Sequence, residues 1–452
     1  MPRTVHLVSL GCPKNLIDSE VMLGLLQKDG YVLTDNPAKA DVIVVNTCSF
    51  VLDAKRESVE TVLELSEKKK PGAKLVVSGC LPQLYGKKIA AAMPEAELFL
   101  GTGEYHRIAD LLRVSAKSMG KNRVHAGAPG FIHSDHHPRA HTGPAHTGWL
   151  KISEGCSRRC AFCVIPRIRG NVRSRTVVSL VKEARALVSG GVRELNLVAQ
   201  DLTEYGRDLK SGDNLEKLLP ALCRIKKLEW IRLLYVYPDD FSDRLVDMIA
   251  GEPKIVKYID IPLQHTCDRI LKSMRRGVRK RRIHELVSRL RERVPGIVIR
   301  TSIIVGFPGE TKADFRELCR DLATLDLDRV GVFPYSREEG TPAAKMAGQV
   351  ARMEIKKREA ALLGLLQKQS LARQSAMIGR RVRVVIEGGS GESEMLLQAR
   401  MSTQAPGGID GWVYVTDVAR DIRAEELLPG RIFDAEITSA MPHDLTARVI
   451  GI

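Results

Sequence analysis

Between residues 149 and 333 short apolar runs alternate with amphipathic stretches of helical period, and few folds accept that alternation. The runs are 149–152, 195–198, 231–236, 258–261, 297–305 and 330–333, and helical patterns follow five of them, at 177–189, 215–225, 244–249, 283–293 and 312–325. Strand–helix repeats of this size bury a parallel sheet beneath helices. Six such units predict a partial (β/α)6 barrel, about two units short of the full eight. An amphipathic helix over 353–377 leads out of it.

The flanks read differently. Apolar runs at 5–10, 42–45 and 75–77, with helical patterns at 18–28, 52–68 and 83–93 between and after them, predict a small parallel α/β domain over 1–116. Residues 117–147 carry six histidines (His125, His133, His136, His137, His141 and His146) without periodicity. A His-rich tract can bind metal, but with this irregular spacing a solvated linker is the expectation. The barrel domain then spans 148–375. The tail, 376–441, has short β segments at 382–386, 395–399, 411–415 and 433–437 with Gly and Pro between them. That pattern predicts a small antiparallel β-barrel of the oligonucleotide-binding kind.

The chain of 452 residues has a net charge of +16. No run of eighteen apolar residues exists, which excludes a membrane-spanning helix, and the first residues are too short an apolar stretch for a signal peptide. A cytoplasmic protein is expected. There the nine cysteines point to metal, cluster or catalytic thiols rather than disulfides. The charge is uneven: residues 1–116 balance at zero, 376–441 carry about −3, and 117–375 hold about +19.

Cys156, Cys160 and Cys163 form a C-x3-C-x2-C run just past the first barrel strand, where loops of such barrels carry chemistry. Three thiolates so close suit an iron–sulfur cube with one open iron. Zinc is the alternative, but it wants a fourth protein ligand and no His follows within thirty residues. Cys12, Cys48 and Cys80 are far apart in sequence, yet each follows an apolar run. In a parallel sheet those run ends share one edge, so the three thiols can converge on a second cluster. Cys223 and Cys319 fall on helical patterns as packing residues, and Cys267 lies near His265 without belonging to either group.

The C-x3-C-x2-C run, with Phe162 before its last cysteine, resembles the radical S-adenosylmethionine (radical SAM) superfamily. The resemblance implies that Cys156, Cys160 and Cys163 hold a 4Fe–4S cluster. Its open iron chelates SAM, and reduction releases a 5′-deoxyadenosyl radical. Strand-end residues Gln200, Asp201, Gln264, His265, Gly306 and Glu310 are the expected SAM contacts.

With two cysteine trios and this domain order, the chain is similar throughout to the methylthiotransferases, which join a cluster domain, a radical SAM barrel and a TRAM β domain. The stretch Ser9-Leu10-Gly11-Cys12-Pro13-Lys14-Asn15-Leu16-Ile17-Asp18-Ser19-Glu20 resembles the branch acting on ribosomal protein S12. So do Lys151-Ile152-Ser153-Glu154-Gly155-Cys156, Tyr235-Val236-Tyr237-Pro238, Met274-Arg275-Arg276-Gly277 and Ile409-Asp410-Gly411. The resemblance implies two 4Fe–4S clusters, the second on Cys12, Cys48 and Cys80, and two SAM molecules. One methylates the sulfur to be transferred; the other yields the radical that abstracts hydrogen from the β-carbon of an S12 aspartate, giving 3-methylthioaspartate. An electron donor and a sulfur donor are implied partners, and S12 is met free or within the small ribosomal subunit. A tRNA-modifying relative would want a basic TRAM domain, whereas this tail is net acidic and suits a basic ribosomal protein.

Overall fold

The computed structural model describes residues 2–114, 123–239, 241–393 and 396–451. The N-terminal strands are β1 (Arg3–Ser9), β2 (Tyr31–Leu33), β3 (Val42–Thr47), β4 (Lys74–Gly79), β5 (Leu98–Leu100) and β6 (Val124–His125). They form one parallel sheet in the order β2-β1-β3-β4-β5-β6. Every residue of β3 is buried, as expected for a central parallel strand covered on both faces. Strands β1, β3 and β4 are consecutive neighbours, with Ser9 opposite Asn46 and Asn46 opposite Ser78, so their carboxyl ends lie side by side.

Residues 115–122, the last two of the expected first domain and the first six of the expected linker, lie outside the described residues. The rest is not a solvated connector. Its first described residues pair as β6 against β5, and the chain then packs as a strap between the two large domains. Arg139 bridges Glu20 of the first domain to Glu183 of the second, and Thr142 N–H donates to Glu20 at 2.9 Å. The histidines separate: His133 is buried beside Arg175 and Glu183, His141 meets Glu20, His146 meets Glu387, and His136 is exposed.

The central domain carries β7 (Thr147–Lys151), β8 (Ser153–Glu154), β9 (Arg173–Ser174), β10 (Glu194–Val198), β11 (Trp230–Leu233), β12 (Ile255–Asp260), β13 (Val298–Val305) and β14 (Arg329–Pro334). Six of these make an open parallel sheet, β14-β13-β12-β11-β10-β7, the partial barrel expected. Its helix-facing side forms the largest core, around Leu150, Leu197, Ile231, Ile259 and Ile299. Its other face is filled from both ends. Ile17 of the first domain and Val385 and Ala405 of the tail meet Val198, Trp230, Leu234, Val256 and Tyr258 in one apolar cluster. Burying a side chain such as Ile17 contributes about 1.5–3 kcal/mol. The pair β8–β9 is a short antiparallel ladder whose two strands bracket the cysteine loop.

The tail closes into a five-stranded barrel of β15 (Arg381–Gly389), β16 (Leu397–Met401), β17 (Val413–Val418), β18 (Ile432–Ala440) and β19 (Leu445–Gly451). Two details differ from the expectation. Strand β19 lies beyond residue 441, and its pairing with β17 is parallel while the other pairings are antiparallel. The barrel docks on the amino ends of the central strands. Arg400 reaches Glu194 and Thr147, and Asp410 accepts from the Tyr258 hydroxyl at 2.7 Å and pairs with Arg300 at 3.3 Å. The cysteine loop sits at the opposite, carboxyl end.

Candidate active site

Cys12, Cys48 and Cys80 gather on the carboxyl edge of β1, β3 and β4. Cys12 caps the helix Pro13–Lys28, Cys48 follows β3, and Cys80 opens the helix Cys80–Ala92. Gly11 has φ +88°, and a Cβ there would fall 2.7 Å from Cys48 Cβ and 2.9 Å from its sulfur. The first and second thiol segments therefore touch. Ser58 fixes Cys48 by reciprocal bonds, accepting from its N–H at 3.0 Å and donating to its carbonyl at 2.8 Å. Asn15 ties the edge together: its amide donates to Leu10 O and Thr47 O, both at 3.0 Å, and its oxygen accepts from the Cys80 thiol at 3.7 Å. Burial pushes the Cys48 thiol up and Cys80 to about 12, and the three sulfurs lie close enough for their charges to act on one another.

Cys156, Cys160 and Cys163 occupy the loop between β8 and β9. Gly155, at φ +83°, lets the loop leave β8; a Cβ there would meet Asn171 O at 2.1 Å. Ala161 N–H donates to Met274 O and Ala343 N–H to Ala161 O, both at 2.9 Å, which sews the loop to the ends of later barrel units. Burial pushes the Cys156 thiol well up and Cys163 to about 12. Arg276 lies 3.7 Å from the Cys160 sulfur. Such desolvated thiols are poor thiolates on their own, and a cationic metal cluster reverses that preference. Soft sulfur donors fit iron–sulfur chemistry. Among the described residues no three His, Cys, Asp or Glu side chains converge on a single-ion site. A cube, with one thiolate at each of three corners, asks for wider spacing than one zinc ion does.

One buried charge network ties the helix after Cys163 to the first trio. Arg169 lies at the end of the helix Ile165–Arg169, which starts two residues after Cys163. It donates to Asp18 at 2.6 Å and Glu154 at 2.8 Å, and its other amino group faces Asn15 and the Cys80 sulfur, the latter at 3.9 Å. Lys151 pairs with the same two carboxylates. Ile168 and Val164 pack on Cys80. Gln200 donates to Glu154 at 2.7 Å, while its own oxygen is buried without a partner.

The other expected SAM contacts have these places. Asp201 accepts from Arg158 at 3.1 Å and caps its own turn through Thr203 N–H at 2.9 Å. Gln264 adopts φ +71° and bridges to Ile303. His265 is fully buried, its Nδ1 accepting from Cys267 N–H at 2.9 Å and its Nε2 unpartnered. Gly306 and Glu310 bond to each other, Gly306 N–H donating at 2.6 Å, and Arg358 of the exit helix donates to Glu310 at 2.9 Å. Glu310 thus anchors the exit helix Arg352–Ser375 to the sheet.

Several residues at the site carried no assigned role in the sequence. Tyr237 is sandwiched between Arg158, 3.9 Å from its ring centre, and Arg276, 4.3 Å away. Glu204 accepts from Ser157 N–H at 2.9 Å. Asn15, Lys151, Glu154, Tyr237 and Arg276 all lie inside the motif segments quoted above, whereas Arg169 and Glu204 had no signal.

A six-stranded parallel sheet with this cysteine loop defines a radical SAM enzyme, and family models agree. Residues 150–322 match the radical SAM superfamily, 4–101 match uncharacterized protein family UPF0004, and 378–450 match the TRAM domain. The fold is shared with the radical SAM methyltransferase TsrM from Kitasatospora setae, solved with cobalamin and a 4Fe–4S cluster. That likeness has a TM-score of 0.54 at 17% identity and covers 76% of this chain and 77% of that one. The chain is 48% identical to the ribosomal protein uS12 methylthiotransferase RimO of Anaeromyxobacter sp. (strain K), over 100% of this chain and 94% of that one. It is 47% identical to RimO of Geobacter sulfurreducens, over 99% and 98%. The chain belongs to the ribosomal protein uS12 methylthiotransferase RimO family.

Proposed function

We propose that this chain methylthiolates the β-carbon of an aspartate in ribosomal protein S12, giving 3-methylthioaspartate. The observation that carries the reading is the pair of cysteine trios past the carboxyl edges of two parallel sheets, with Arg169, on the helix that follows Cys163, reaching the Cys80 sulfur of the other trio. Its cofactors are SAM and two 4Fe–4S clusters. Cys156, Cys160 and Cys163 hold the first cluster, and Cys12, Cys48 and Cys80 hold the second. When bound, the clusters and SAM supply a strongly abstracting radical and the sulfur to be inserted.

The chain's own residues orient and enclose. Asn15 and Ser58 fix the first trio; Glu204, Asp201, Arg158 and Tyr237 hold the second loop against the strand ends. Gln200, Asp201, Gln264, His265, Gly306 and Glu310 border SAM, with Asp201, Gly306 and Glu310 acting through the backbone and side chains that they fix. Ile17 and the tail barrel seal the sheet's open face, which excludes water from a site where radicals must not be quenched.

The division of labour is a cluster domain over 1–116, a strap over 117–147, a radical SAM domain over 148–375 and a TRAM domain from 376 through β19. The acidic TRAM domain suits the basic surface expected of a ribosomal protein. An electron donor and a sulfur donor come from outside the chain. Among the described residues no helix is long and apolar enough to cross a membrane. A ribosomal substrate places the enzyme in the cytoplasm. The test is mass spectrometry of S12, free and within small ribosomal subunits, after anaerobic incubation with SAM and reductant: a methylthio gain on one aspartate in either form supports the reading, and S12 unmodified in both forms alongside SAM cleavage contradicts it.

A further inference from the structure

The cations between Arg269 and Arg282 sort into two groups. Arg269 pairs with Asp314, Lys280 with Glu317 and Asp321, and Arg281 and Arg282 with Glu285. Arg276 turns inward to Cys160. Lys272, Arg275 and Arg279 are exposed, and among the described residues no carboxylate pairs with them. Lys272 and Arg275 flank Met274, whose carbonyl accepts from Ala161 inside the cysteine loop, and Arg279 lies two residues past Gly277, whose N–H donates to the Tyr237 hydroxyl at 2.8 Å, so the three border the lip of the active site. Arg159, on the same loop, is also exposed and bonds only to neutral groups: Cys156 O, Arg158 O and Asn171. Arg275 holds φ +56°, which turns it off the helix path.

Four uncompensated cations on one lip raise the local potential and attract a polyanion. One substrate carboxylate cannot occupy them all. A basic lip also repels a free basic protein, so S12 alone meets the wrong sign of charge here. Phosphodiesters beside the target loop change the repulsion to attraction.

We infer that this lip, formed by Arg159, Lys272, Arg275 and Arg279, binds the phosphodiester backbone of RNA adjacent to S12, so that the preferred substrate is S12 within an RNA-containing ribosomal particle. The inference rests on the S12 reading above. Acidic tail and basic lip then face different partners, protein at one end of the barrel and RNA at the other.

The test compares purified small ribosomal subunits with free S12, using the reconstituted full-length enzyme and a Lys272→Glu/Arg279→Glu double variant. Both positions are exposed and neither touches a cysteine. The variant is expected to raise KM for subunits about tenfold or more, to leave kcat/KM for free S12 unchanged or higher, and to leave SAM cleavage without substrate unchanged. Cosedimentation with subunits across a salt series should show a log K against log salt slope shallower by about two. An unchanged slope, or equal losses on both substrates, overturns the inference. If the unaltered enzyme modifies neither substrate, the S12 reading fails instead, and the salt slope still decides whether the lip binds RNA.

Discussion

Arg169 and Cys80 stand on different domains, 89 residues apart in sequence, with the guanidinium 3.9 Å from the sulfur. The same guanidinium satisfies Asp18 and Glu154, so one side chain both ties the central domain to the first trio and neutralises a buried acidic pair. Replacing it with methionine leaves two buried carboxylates to share Lys151. Breaking a buried pair in this way costs about 3–5 kcal/mol. Arg169→Met is therefore expected to lower the unfolding midpoint and to loosen the first trio, read as iron lost from the Cys12, Cys48 and Cys80 site. Arg169→Lys keeps the charge without the fork and should recover stability better than sulfur transfer.

Gly11→Ala tests the contact between the first two thiol segments. A Cβ at φ +88° is strained by about 1–2 kcal/mol and meets Cys48 Cβ at 2.7 Å. The variant should fold with its barrel intact, retain SAM cleavage, and load roughly half the iron expected for two clusters. Full loading would show that Cys48 does not depend on this approach.

Asp410→Ala tests how the tail is held. It removes the acceptor for Tyr258, for Arg300 and for Ala405 N–H, the last at 2.9 Å. Arg300 keeps its pair with Asp260, while the Tyr258 hydroxyl and the Ala405 N–H are left unpaired at a cost of about 1–3 kcal/mol apiece at most. Limited proteolysis should then cut near residues 376–380 faster than in the parent, with SAM cleavage preserved.

His133 gives a pH signature. Burial lowers its imidazole from 6.5 to about 4, despite the opposite pull of Glu183. Arg175 donates to His133 Nε2 at 3.1 Å, which requires a neutral ring. The unfolded chain takes up this proton first as pH falls, so the contribution to stability is complete above pH 6.5 and is lost on the way down to about 4. The loss amounts to about 3 kcal/mol. Denaturant unfolding of the iron-free, reduced protein should show about 2 kcal/mol of it between pH 7 and 5, and His133→Gln should flatten that slope.

The sheets were legible because buried parallel strands are nearly continuous apolar runs, as in β3 and β10. Cys12, Cys48 and Cys80 could be placed on one sheet edge because each follows such a run, whereas the second trio is read from its C-x3-C-x2-C spacing alone. Strands β2, β5 and β6 were missed: they have only three, three and two residues, and Val32 and Leu33 of β2 are exposed. The strap was misread as solvated because its anchors are polar. Arg139 meets Glu20 across 119 positions, a pairing no local pattern encodes. Arg169 was invisible for the same reason, being 151 residues from Asp18. The unpaired lip also lay hidden, since a run of cations does not say which of them have acids folded against them.

The most direct measurement is a matched pair of triple variants, one with Cys12, Cys48 and Cys80 changed to Ala and the other with Cys156, Cys160 and Cys163 changed to Ala. Each is reconstituted anaerobically and assayed for iron, 5′-deoxyadenosine and methylthiolated S12. With two cubes present, the parent should carry about eight irons and each variant about four. The first variant should still cleave SAM, the second should not, and neither should modify S12. Methylthiolated S12 from either variant, or loss of all iron from one trio's removal in a protein that remains folded, contradicts the assignment of two separate cluster sites.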